Sequence, residues 1–136
     1  MKQSLLVAAL VFGLADVSFA QGMDIHNRYG ESGTHCQVSC DTQSFLYEAT
    51  VTGGTVAYQI VLEVYHNGIL KALNLETVLL PPPVYHYSCP VDMASWGLRP
   101  GDTVTFKAKV VGLVLGKIYA TDVLFADIVP PGPKTY

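Results

Sequence analysis

Between residues 103 and 110 the chain alternates without a break. Val104, Phe106, Ala108 and Val110 interleave with Thr103, Thr105, Lys107 and Lys109. A period of two fits only an extended strand with one face buried, and the same period runs through Phe45, Tyr47, Ala49 and Val51. Two further runs, 56–66 and 69–80, are rich in Val, Ile, Leu and Tyr and flank Asn67-Gly68. That dipeptide is the strongest short-range hairpin signal, because both central residues of the tight turn need positive φ. An unbroken register puts Ile60, Leu62 and Val64 on one face with Ile69, Leu73 and Leu75, and Lys71 falls on that face as a misfit. A short strand around Tyr85, Tyr87 and Cys89 closed by Pro90, a turn or brief helix at 92–101 and a final strand over 118–129 complete the set. The polar stretch 21–43 reads as loop or an irregular first strand. No segment carries a helical period. The expectation is an all-β, immunoglobulin-like antiparallel β-sandwich of about seven strands, with a closed barrel as the alternative.

The sequence starts with Lys2, an apolar run from Leu5 to Ala15, and the small residues Ser18 and Ala20 around Phe19. A basic start, a short apolar core and a small-x-small exit describe a secretory signal peptide over 1–20. The run is shorter than the roughly 20 apolar residues a membrane span needs. The expected mature chain is one domain over 21–129 with a Pro-rich tail at 130–136, secreted and extracellular or lumenal. At 136 residues there is room for one core. A chain 50% apolar and 14% charged is not disordered, and a net charge of −3 offers no footprint for nucleic acid.

Chemistry is sparse. His26, His35, His66 and His86 show no HExxH spacing, and the chain has no nucleophile elbow and no phosphate-binding Gly-rich loop. The expectation is no enzyme, no cofactor and no metal. His35, Cys36 and Cys40 cluster in sequence but lack an evident fourth zinc ligand. Three cysteines in an oxidising compartment leave one over, and three pairings are open. Cys36 with Cys40 closes a small loop. Cys89 with either of them staples distant segments. A Cys89 left unpaired is a route to a disulfide-linked dimer. Tyr85 and Tyr87, beside Pro81-Pro82-Pro83, are the best candidates for an exposed aromatic surface.

Several short motifs fall in a suggestive order: Gly53-Gly54, the run 60–80, the triple proline, Cys89-Pro90, Pro100-Gly101, and Gly116-Lys117-Ile118-Tyr119 leading to Asp122 and Asp127. Over about residues 49–128 this order resembles the ML lipid-recognition family, which includes secreted and lysosomal cholesterol carriers and ganglioside-activator proteins. The resemblance implies a sandwich whose sheets splay around a small apolar or amphipathic lipid. It also implies a Cys36–Cys40 disulfide, similar to the family's N-terminal loop. The inward-facing set that would line the pocket is Val51, Tyr58, Ile60, Leu62, Val64, Leu73, Leu75, Phe106, Val110 and Tyr119. The chain departs from the family in having no cysteine between Cys40 and Cys89 and none in its last strand.

A second class fits the same residues: a secreted structural or adhesive extracellular-matrix module. Lipid carriage requires a hollow between the sheets, whereas a matrix module requires a filled core and an adherent surface.

Overall fold

The computed structural model describes residues 22–132; the expected signal segment 1–20 and the end of the tail lie outside them. Eight strands run in the order β1 (Asp24–Asn27), β2 (Thr34–Ser39), β3 (Ser44–Thr52), β4 (Tyr58–His66), β5 (Ile69–Val78), β6 (Val84–Asp92), β7 (Thr103–Gly112) and β8 (Ile118–Val129). They form a small sheet, β1-β3-β6, and a large sheet, β2-β8-β7-β4-β5, packed as an immunoglobulin-like sandwich. Every pairing is antiparallel except β2 with β8, which is parallel. The stretch 21–43 therefore holds two strands where at most one irregular strand was expected. Both are short edge strands with little alternation, too weak a pattern to read.

The strongest alternations became the core. Phe45, Tyr47, Ala49 and Val51 of β3 face Val104, Phe106, Ala108 and Val110 of β7, and all are buried. Asn67 and Gly68 have φ of 49° and 85°, and His66 pairs with Ile69 across them, so the two-residue hairpin stands where the dipeptide put it. Pro90 does not close β6, which runs on to Asp92. β6 has a ladder partner on one side only, and there a missing N–H is tolerated. Residues 92–101 contain turns and no helix.

One register differs from the sequence reading, with large effect. His66 pairs with Ile69 and Tyr65 with Leu70, but Val64 pairs with Ala72, leaving Lys71 as the extra residue of a β-bulge. A bulge shifts every later side chain to the opposite face. Ala72, Asn74, Glu76 and Val78 therefore turn inward, while Leu73 and Leu75 point outward, 56% and 53% exposed. The misfit at Lys71 is relieved by taking that residue out of the ladder.

The chain direction also polarises the sandwich. Thr52 pairs with Asp24 and with Val84, and Tyr58 pairs with Val78 and with Gly112. Gly22 and the connections 53–57, 79–83 and 113–117 thus gather at one end. Asn67-Gly68, the 93–102 segment and Val129 occupy the other.

Candidate functional site

The interior between the sheets is packed around the Phe106 ring. The Phe106 ring stacks on Phe45 at 4.7 Å and on Tyr47 at 5.8 Å between centroids, joining β7 of the large sheet to β3 of the small one. Seven residues of the expected lipid-lining set, Val51, Tyr58, Ile60, Leu62, Val64, Phe106 and Val110, are buried in this packing. Tyr119 is half-buried at a second bulge, where Val110 pairs with Ala120 and Val111 with Ile118. Its ring lies so close to Gly112 that a Cβ there would meet Cε2 at 2.8 Å, which explains the glycine. Leu73 and Leu75 turn to the outer surface, with Leu73 also at the rim of a cleft beside β5.

A buried carboxylate stands on β8 without any local pattern to mark it. Asp122, on the inward face of β8, is 0% exposed. Asn27 of β1 donates its side-chain amide to both carboxylate oxygens, at 3.0 and 2.9 Å, and the Tyr47 hydroxyl donates to Oδ2. Burial, with the carboxylate beside it, pushes the Tyr47 phenol far above its ordinary range, so that proton stays on the tyrosine. The trio ties β8 to β1 and β3 across the sandwich.

The gap between the edge strands β5 and β6 is bridged by side chains. Asn74 donates to the Tyr87 hydroxyl at 2.6 Å, and the Tyr85 hydroxyl donates to Glu76. The hydrogen bond to Glu76 is the main cause holding the Tyr85 phenol up at about 12. Tyr87 is buried and Tyr85 half-buried, so the best candidates for an exposed aromatic surface do not form one. Beside these bridges a cleft of about 270 Å³ opens among Leu62, Val64, Ala72, Cys89, Val91 and Trp96.

All three cysteines are free thiols. Cys36 lies within extended β2 and Cys40 just beyond it, with the Cys40 N–H continuing the ladder onto Val129. Extended chain of that length separates the Cα atoms by about 10 Å or more, beyond the roughly 7 Å a disulfide spans, so the expected Cys36–Cys40 bridge is absent. Cys89 is buried on β6. Burial pushes the Cys36 and Cys89 thiols up.

The histidines are dispersed. His66 and Asp102 meet at 2.9 Å, with the Trp96 ring stacked on the imidazole at 6.3 Å. Hydrogen bonds from His66, Asn67 and the Arg99 N–H hold the Asp102 carboxyl at about 2. On the outer face of the small sheet His26, Thr50 and His86 lie in one row across β1, β3 and β6. His35 stacks on Phe125 at the β2 edge. Among the described residues no group of three or more His, Cys, Asp or Glu is placed to hold a metal ion.

No protein family and no characterised protein matches the chain. Among solved structures it is similar to part of Bacteroides uniformis beta-glucuronidase 2 bound covalently to a cyclophellitol-6-carboxylate aziridine, at 11% identity and a TM-score of 0.48. A calcium-binding mutant of the same enzyme gives 13% identity and the same score. In both cases the likeness covers 78% of this chain and 13% of the enzyme. The CARDB domain of a Pyrococcus furiosus protein, in complex with di-metal ions, is similar over 80% of this chain and 94% of that domain, at 16% identity and a TM-score of 0.44.

Proposed function

We propose that the protein is a secreted, non-enzymatic structural or adhesive module that carries no cargo between its sheets and acts through its surface. The contact of Phe106 with Phe45 and Tyr47 across the sandwich carries this reading, because a lipid chain placed there would have to displace stacked rings. The outward turn of Leu73 and Leu75 supports it, since contiguous apolar side chains left in water mark contact surfaces. The test is native mass spectrometry with lipid extraction of the protein begun at Gln21, followed by titration with sterols and phospholipids. The expected result is the bare protein mass and no saturable uptake of monomeric lipid. A stoichiometric co-purifying lipid overturns the reading.

The second reading, a lipid carrier, is favoured by the cleft beside Leu62, Val64 and Trp96. Entry there would require the Asn74–Tyr87 and Glu76–Tyr85 bridges to part. Under that reading Glu76→Ala and Asn74→Ala speed lipid uptake; under the first they only lower stability.

A further inference from the structure

The end of the sandwich that gathers Gly22 with the connections 53–57, 79–83 and 113–117 is chemically unlike the rest of the surface. Across those three connections Lys117 is the single charged residue. Leu80 is 91% exposed and Val114 85%, with Leu79 and Leu115 exposed beside them. These side chains stand on protruding loop tips. A protruding apolar tip fits a fluid apolar phase better than the preformed surface of a folded partner.

Part of the backbone at this end needs no donor contact with water. Pro81, Pro82 and Pro83 have no N–H to desolvate. The N–H groups of Gly112 and Gly116 donate within their own turn, to Lys117 and Gly112. Gly53 donates to Pro83 and Leu113 to Ala57, so neighbouring connections satisfy one another. An apolar phase penalises each donor left bare, and these bonds lower that penalty for the groups that make them.

We propose that this apolar end docks on the surface of a lipid bilayer, with Leu80 and Val114 inserted to the depth of the acyl-chain boundary. The proposal rests on the reading of the protein as a module that acts through its surface, and it names the partner. Since apolar insertion drives the contact, binding is insensitive to salt.

The experiment is flotation of the protein begun at Gln21 with phosphatidylcholine vesicles. The wild type is expected to float with the vesicles at both low and high salt. The double variant Leu80→Glu/Val114→Glu is expected to lose about tenfold or more in partitioning while keeping its melting temperature, since both side chains are already in water. As a second readout, Leu80→Trp should shift its emission to the blue when vesicles are added. The native Trp96, at the opposite end, should not respond. A wild type that stays at the bottom of the gradient overturns the proposal, as does a double variant that floats equally well. Loop-dependent self-association without flotation also overturns it, by making this end a protein contact. Failure of flotation with clean lipid extraction leaves the surface-module reading standing, whereas a stoichiometric extracted lipid removes that reading whatever the vesicles do.

Discussion

Tyr47 and Asp122, 75 residues apart in the chain, are hydrogen-bonded across the packed interior, the phenol donating to the carboxylate. Asn27 completes the site from a third strand, so the most polar point of the core is also where β8 meets both β1 and β3.

Truncating this trio leaves a buried acceptor short of a donor. Tyr47→Phe should cost about 1.5–3 kcal/mol, the range for a hydrogen bond to a charged group. Asp122→Ala should cost more, about 3 kcal/mol or above, by stripping Asn27 and Tyr47 of their common partner. Urea unfolding of the two variants checks both values. A Tyr47→Phe protein as stable as wild type would mean the bond adds nothing net.

The bulge at Lys71 predicts opposite fates for leucines that look alike in sequence. Leu62→Ala removes a buried side chain and should cost about 2–5 kcal/mol. Leu73→Ser with Leu75→Ser, both outward-facing, should change stability by about 0.5 kcal/mol or less per site. Equal losses in thermal melts would restore the unbulged register.

Stability against acid should depend on Asp102. Its carboxyl is held at about 2 in the fold against an ordinary value of 3.8. A depressed folded value means that the bonds to His66, Asn67 and Arg99 stabilise fully above about pH 4 and are lost as pH falls towards 2. Asp102→Asn should flatten the pH dependence in that window while leaving the steepness contributed by other carboxylates. Denaturant midpoints measured between pH 2 and 5 would show no difference from wild type if the group did not titrate this way.

Thiol chemistry separates the structure from the disulfide that the family resemblance implies. All three cysteines should react with a thiol reagent in denaturant without prior reduction. In the folded protein at neutral pH, Cys89 should be the slowest, being buried with its thiol pushed up. A peptide map linking Cys36 to Cys40 would contradict this.

The layout of β3, β4, β7 and β8 was legible because in each the side-chain period and the buried face coincide. Asn67-Gly68 was legible because few residues tolerate φ of 49° and 85° in succession. β5 misled for a physical reason. Its sequence offers Leu73 and Leu75 as an apolar row, and only pairing with β4 and the side chains of β6 opposite select the row of Asn74 and Glu76, whose bonds to Tyr87 and Tyr85 need the bulge. Asp122 was visible as a residue of the last strand but not as a buried one. Its partners come from β1 and β3, and no local pattern links them.

The placement of the two points where the chain enters and leaves the sandwich has a mechanical consequence. Gly22 leaves the small sheet at one end of the sandwich and Val129 leaves the large sheet at the other. Tension applied between them runs along the strands, loading β1 against β3 and β8 against both β7 and β2. Ladder hydrogen bonds lie across that direction, so they must shear together and cannot peel open one at a time. Pulled at these two points, the sandwich resists more than a domain whose strands unzip in turn.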